Sequence, residues 1–298
     1  MTEIGTRSGV ILVDKPQGIT SHDAVAKTRK AAGTRKVGHA GTLDPMATGL
    51  LVLGLNSSTR LLTYVVGLDK EYFATVRLGQ ATTTDDAEGE VVTTADASGI
   101  GNLEPFLARL RGDISQVPSS VSAIKVDGKR AYALVRAGET VELKSRRVTI
   151  SALEVLDYRP GEVAELDIRV ECSSGTYIRA IARDLGEALG VGGHLTALRR
   201  TRIGPFSVGD ASTIAELDPA SAMLRPVDVA SRLFPIIDLE PQQAVDLSHG
   251  KRLEVDHEDA SPVAAVTADG RLAGLVTISR GRARPLVNFP TDEYVVPA

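Results

Sequence analysis

The chain has 298 residues, 43% of them apolar and 24% charged, a net charge of −4, a single cysteine and no tryptophan. That length suits about two domains with a sizeable core, and a lone Cys172 excludes an intrachain disulfide and a cysteine-rich zinc site. No apolar run reaches the roughly eighteen residues of a membrane span, and Met1–Gly5 lacks the basic and apolar blocks of a secretion signal, so a cytoplasmic protein with no membrane partner is expected.

The net negative charge hides two basic stretches. Residues 1–40 carry Arg7, Lys15, Lys27, Arg29, Lys30, Arg35 and Lys36 against Glu3, Asp14 and Asp23. Residues 121–150 carry Lys125, Lys129, Arg130, Arg136, Lys144, Arg146 and Arg147 against Asp127, Glu139 and Glu142. Two basic patches on an acidic chain fit the docking of a folded RNA, and equally fit solvated surface charge.

In chain order, Gly9–Val13 reads as a strand ending in the turn Asp14-Lys15-Pro16-Gln17-Gly18. Thr20 or Ser21 caps a helix that runs through Ala32 and stops at Gly33. A loop from Thr34 to Val37 then delivers the segment Gly38-His39-Ala40-Gly41-Thr42-Leu43-Asp44-Pro45-Met46-Ala47-Thr48-Gly49-Leu50-Leu51. This segment reads as a stiffened loop entering a strand. Pro45 fixes its own φ and drives Asp44 out of the helical region. Asp44 is thereby either presented to a substrate or bonded to backbone N–H groups of a turn.

Leu50–Leu55 is apolar throughout and reads as a central strand, Arg60–Val66 as a short helix stopped by Gly67, and Lys70–Leu78 as a strand. Gly79–Gly89 is a polar loop. Its Asp85, Asp86 and Glu88 lack the spacing of a calcium loop and read as turn carboxylates, with Asp86 a candidate positioning residue. Leu103–Leu110 reads as a helix, Asp127-Gly128 as a hairpin turn, and Arg130–Ala137 as a helix closed by Gly138. Ser145–Tyr158 and Val163–Cys172 form a hairpin around Pro160-Gly161. Leu166, Ile168, Val170 and Cys172 alternate there with charged residues, so Cys172 belongs to a core and is no nucleophile. Ser173-Ser174-Gly175-Thr176-Tyr177-Ile178-Arg179 leads into a helix through Ala188, and Gly193–Gly204 reads as a strand in which His194 is structural. Residues 210–235 read as a connecting segment. Beyond Pro235 comes a small β module with a helix at Gln242–Ser248 and strands at Val263–Val266 and Leu272–Ile278.

Gly38–Leu51 resembles the signature G-H-x-G-x-L-D-P-x-A-T-G-x-L of the TruB family of tRNA pseudouridine synthases. Asp14-Lys15-Pro16-Gln17-Gly18 resembles the family's DKPxG segment, Gly79–Gly89 its LGxxTxTxDxxG stretch, Gly175–Arg179 its GTYIR motif, and His194–Arg200 its H-x-x-x-L-R-R segment. The resemblance covers most of residues 9–210. It implies that Asp44 is the catalytic aspartate, that Tyr72 stacks on the target base and handles a proton, and that Arg179 pairs with Asp44. It implies recognition by His39, an apolar contact of Leu198 with a flipped base, RNA contacts from Lys15, Lys125 and Arg130, and RNA or structural contacts from Arg199 and Arg200. An insertion at about residues 120–150 would clamp the RNA. Residues 235–298 resemble the family's PUA-like C-terminal module through Ala244, Leu247 and Gly250. The expected architecture is α+β, with a large mixed or antiparallel sheet in a catalytic domain of residues 1–210, a connection at 211–234, and the C-terminal β domain.

The implied reaction isomerises uridine to pseudouridine at position 55 in the T arm of tRNA. It breaks the ribose C1′–N1 bond and remakes it to C5, so no cofactor is required and no metal is expected. Asp44 would attack C1′, assist formation of a glycal, or add to uracil C6; the residues leave all three open. The uridine must leave its stack to be reached. A competing reading is an RNA-binding or chaperone module, against which the combination of Asp44, Tyr72 and Arg179 argues. A glycosidase would call for a second placed acid, and none is identified. The absence of a long basic tail points to a stand-alone enzyme, and a monomer is expected.

Overall fold

The computed structural model describes residues 3–119, 125–126, 129–130 and 143–290. Strand β1 (Gly9–Lys15) buries Val10, Ile11, Leu12 and Val13 and extends two residues past the apolar run. Helix α1 (Ser21–Ala32) begins at a reciprocal cap: the Thr20 hydroxyl accepts from the Asp23 N–H, and the Asp23 carboxylate accepts from the Thr20 N–H at 2.8 Å. Two otherwise orphaned donors are satisfied this way. The helix ends at Gly33, whose φ of 67° would strain any residue bearing a Cβ. Strand β2 (Val37–Ala40) follows, so the glycine-rich motif opens as a strand where a loop was expected. It pairs antiparallel with β3 (Thr48–Leu55), His39 opposite Leu53.

A 3-10 turn at Asn56–Arg60 precedes α2 (Leu62–Val66), so Arg60 lies in the turn and not in the predicted helix. The central part of the chain then forms β4 (Lys70–Leu78), β5 (Gln80–Thr82), β6 (Val91–Thr94), α3 (Glu104–Leu107) and β7 (Gly112–Gln116). Strands β8 (Lys125–Val126) and β9 (Lys129–Arg130) pair antiparallel, Lys125 opposite Arg130. Arg130 is therefore in a strand and does not start a helix. The predicted Asp127-Gly128 turn and the remainder of the predicted helix to Ala137 fall outside the described residues. Next come β10 (Arg146–Arg159), β11 (Ala164–Cys172), α4 (Ile178–Ala188) and β12 (Gly193–Ile203). The chain finishes with β13 (Phe206–Ser207), β14 (Ser212–Thr213), α5 (Pro219–Ala222), β15 (Met223–Leu224), α6 (Pro226–Leu233), β16 (Ile236–Leu239), α7 (Pro241–Ser248), β17 (Leu253–Glu254), β18 (Ala260–Thr267), β19 (Leu272–Ser279) and β20 (Arg282–Asn288).

Two units emerge, one made of residues up to Asp44, Leu50–Val66 and everything from Pro205, the other of Pro45–Gly49 and Gly67–Gly204. In the first, β1 lies beside β3 and pairs parallel with β14 and antiparallel with β15. Its core gathers Ile11, Val13, Val25, Val37, Leu51, Leu53 and Leu55, with Leu217, Ala222 and Met223 packed against them. The stretch read as a connecting segment thus builds two strands and part of this core; its alanines and prolines hid short elements that no periodicity reveals. The same unit carries the C-terminal sheet, ordered β16-β18-β19-β20-β17, whose core includes Ile237, Leu247, Val263, Val276 and Ile278.

In the second unit the strands run in the order β12-β4-β11-β10-β7, and Thr48 and Gly49 of β3 pair with the outer side of β12. One face is apolar: Val76, Leu78, Leu166, Ile168, Val170 and Cys172 are buried. The other carries a lattice of ion pairs, among them Arg77–Glu165 and Arg169–Glu71, each 2.8 Å. This is the alternation expected of a half-covered antiparallel sheet. Burial pushes the Cys172 thiol up to about 11, which makes it an inert core residue. Helix α4 packs on β12 and β4. Its Gly186 permits that approach, since a Cβ there would lie 2.2 Å from the Gly193 nitrogen.

Candidate active site

A relay of local contacts in the first unit holds the residue before Asp44. The Lys15 ammonium is fully buried and donates to the Pro16 carbonyl at 2.9 Å and the Ile19 carbonyl at 2.8 Å, closing the Asp14–Gly18 turn from inside. That turn ends at the Thr20 cap, and Ser21, the first residue of α1, grips the motif. Its hydroxyl accepts from the Leu43 N–H at 2.8 Å and lies 3.1 Å from the Leu43 carbonyl. Leu43 and Ser21 are buried, while Asp44 is half-buried. His39 stands on β2 with its ring edge-on to His22, 5.6 Å between centroids.

The motif's far end is set by the second unit. Gly49 has a φ of 102°, and a Cβ there would fall 2.2 Å from the Arg200 carbonyl oxygen. Only glycine lets β3 lie against β12 at this point. Arg200 pairs in register with Gly49 on one side and with Tyr72 of β4 on the other. Gly49, Arg200 and Tyr72 therefore form one lateral row of three strands, so the end of the motif lies about 10 Å across the sheet from Tyr72. Tyr72 is 7% exposed. Leu198, opposite Ala74, is also buried. Arg199 lies opposite Phe73 and reaches Thr48 Oγ1 at 3.4 Å. Arg200 is 1% exposed, as enclosed as Lys15. Neither of these two expected RNA contacts presents its side chain to solvent.

Arg179 is the second residue of α4 and is 4% exposed. Within the second unit it has a carboxylate partner that the sequence did not pair with it: Asp86, 3.1 Å away. The same guanidinium donates to the Thr84 carbonyl at 2.8 Å. Asp86 is itself fixed by the Thr84 hydroxyl at 2.5 Å and the Glu88 N–H at 3.1 Å. The polar loop after β4 is thus an anchor for Arg179, and the signal in the sequence was the density of Thr and Asp within it. His194 is buried and bonds the Gln80 carbonyl through Nδ1 at 2.9 Å, in keeping with a structural part.

Lys70, two residues before Tyr72 on the buried side of β4, went unremarked in the sequence. It donates to the Leu68 carbonyl at 2.6 Å. Burial, helped by the nearby Arg200 charge, pulls its ammonium down to about 8. Lys125 pairs in register with Arg130 across β8 and β9. Lys144, Arg146 and Arg147 are exposed at the start of β10, so part of the second basic stretch is open to solvent.

A large mixed sheet with helices, together with the C-terminal sheet, is the fold of a pseudouridine synthase. Among solved structures, the chain superposes on "Structure of H/ACA RNP bound to a substrate RNA containing 2'-deoxyuridine" with a TM-score of 0.71 at 24% identity, covering 98% of this chain and 88% of that one, a likeness of fold. Residues 29–178 match the family model "TruB family pseudouridylate synthase (N terminal domain)", residues 179–238 "tRNA pseudouridylate synthase B C-terminal domain", and residues 234–290 "tRNA Pseudouridine synthase II, C terminal". The tRNA pseudouridine synthase B of Leifsonia xyli subsp. xyli is 57% identical over 96% of this chain and 98% of its own. That of Streptomyces griseus subsp. griseus is 50% identical over 95% and 98%. The chain belongs to the TruB family of pseudouridine synthases.

Proposed function

We propose that this chain isomerises the uridine at position 55 in the T arm of tRNA, with Asp44 as the carboxylate that carries the reaction. Isomerisation of uridine in tRNA follows from family membership. The arm, the position and the residue roles go further, and the Asp44-Pro45 motif inside the matched domain of residues 29–178 supports them best.

The C1′–N1 bond breaks, the uracil turns, a C1′–C5 bond forms, and the proton lost from C5 is matched by one taken up at N1. Atoms balance without a co-substrate. Asp44 supplies the charge that opens the glycosidic bond, whether at C1′ directly, through a glycal, or by addition at C6. Arg179 pairs with that carboxylate, as the TruB resemblance implies, and takes its own bearing from Asp86. Tyr72 offers a flat ring for the base and a hydroxyl for the C5 proton. Leu198 packs on the flipped base, and His39 occupies space that the extruded nucleotides vacate. Arg199, Lys125 and Arg130 meet phosphates, while Lys15 and Arg200 act from inside by holding the segments that face the RNA. The enzyme works as a monomer in the cytoplasm, with residues 235–298 as a separate RNA-binding module.

The test is pseudouridine content of an unmodified T-arm stem-loop RNA after incubation with wild type and Asp44→Asn. Conversion by wild type alone is expected. Normal turnover by Asp44→Asn would remove Asp44 from the chemistry, and binding without conversion by wild type would favour an RNA chaperone.

A further inference from the structure

Helix α4 carries Arg179 in its first turn but has no side-chain cap of its own. Its N-cap residue is Tyr177, whose side chain caps nothing. The start of a helix leaves backbone N–H groups without helical partners, and a loosely held first turn would let Arg179 wander. The missing restraint comes from 61 residues away. Gln116, the last residue of β7, is 2% exposed, and its amide makes two hydrogen bonds with the backbone of Tyr177. Its Nε2 donates to the Tyr177 carbonyl at 3.0 Å, and its Oε1 accepts from the Tyr177 N–H at 2.8 Å. A side-chain amide thereby completes both polar groups of one residue, as a neighbouring strand would. The glutamine amide carries a donor and an acceptor on one planar group, which is what both bonds to one residue's backbone require.

The helix is gripped again one turn later. Arg183 donates to the Val117 carbonyl at 2.7 Å and pairs with Asp85 at 3.3 Å. Asp85 adjoins Asp86, the partner of Arg179. Arg179 is thus bracketed at both ends by contacts from residues 116–117, with the acidic loop fastened to the same frame.

We propose that Gln116 is a positioning residue for catalysis, acting through the first turn of α4 to fix the Arg179 guanidinium in the geometry that pseudouridine formation needs. The proposal rests on the reading of Arg179 given above. Gln116 itself touches neither RNA nor the reacting atoms.

A double-mutant cycle tests this, with single-turnover pseudouridine formation on the T-arm stem-loop RNA as the rate and filter binding of the same RNA as the affinity. Gln116→Leu should slow the rate on the order of 10- to 100-fold, the penalty typical of a catalytic group displaced by about 1 Å, with RNA affinity changed less than about threefold. Gln116→Glu keeps the acceptor for the Tyr177 N–H and should fall between Gln116→Leu and wild type. In an Arg179→Lys background the further loss from Gln116→Leu should shrink below about threefold, because residues acting as one unit are not additive. A wild-type rate for Gln116→Leu, or its full penalty repeated in the Arg179→Lys background, would overturn the proposal. If Gln116→Leu does not fold, as read by circular dichroism, the cycle is run with Gln116→Glu under the same criteria. A wild-type rate for Arg179→Lys alone would instead remove Arg179 from the mechanism, and this inference with it.

Discussion

Arg179 and Asp86 close an ion pair of 3.1 Å in which the two side chains are 5% and 4% exposed. Such a pair is costly to assemble, because both charges leave water. Its return is orientation: Asp86 fixes one edge of the guanidinium, and the Thr84 carbonyl accepts from the same nitrogen.

Asp86→Ala should therefore do two things. Removing one partner of a buried ion pair should cost about 3–5 kcal/mol of stability, read as a lower urea midpoint with unchanged slope. Pseudouridine formation should fall together with it at temperatures where the variant is folded. An unchanged midpoint and rate would show that the pair neither stabilises nor positions.

Tyr72→Phe keeps the ring and deletes the hydroxyl. Stacking should persist, so RNA affinity should stay within about threefold of wild type, while loss of a general acid–base group should slow product formation by roughly 10²–10⁴-fold. Tritium release from C5-labelled uridine is the direct readout. Release at the wild-type rate would limit Tyr72 to stacking.

Gly49→Ala should be poorly tolerated although it adds one methyl group. The φ of 102° is strained for any L side chain, and the Cβ collides with the Arg200 carbonyl. Backbone strain of this kind costs on the order of 1–3 kcal/mol, and the β3–β12 pairing must open to relieve it. Thermal melting should drop by several degrees and activity should drop with it. A variant with the melting point and rate of wild type would mean that this pairing can shift at no cost.

Lys70 makes stability depend on pH. Its folded value, near 8, lies below the ordinary 10.5. Below pH 8 both states hold the proton, and folding bears the full cost of a buried ammonium. Between pH 8 and about 10.5 the folded chain releases a proton that the unfolded chain retains, so stability rises with pH. Relative to Lys70→Met, the wild type should gain up to roughly 3 kcal/mol across that window. Urea unfolding of both proteins at pH 7.5 and pH 10 measures the difference, and parallel behaviour would refute it.

Much was legible in the chain itself. The capping residues Thr20 and Gly33 bounded α1 because their effect is local. The alternation in Lys70–Leu78 and Ala164–Cys172 marked strands and their inner faces, since a period of two needs no knowledge of the partner strand. The Asp44-Pro45 motif stood out for a similar reason: proline and glycines constrain the backbone wherever they occur. Less visible were β6, β7 and the short elements of residues 208–233, whose few residues carry no period to detect.

The sequence by itself marked the family motifs and most of the longer helices and strands, because those depend on residue types within a few positions of one another. The tertiary structure alone decided that Arg179 meets Thr84, 95 positions away, and Asp86 beside it. It also decided that Gln116 caps Tyr177, that Gly49 must have no side chain beside Arg200, and that Lys15, Lys70 and Arg200 lie inside. A polar residue's role is set by which distant group satisfies it once water has been excluded, and only the folded sheet brings those groups within reach.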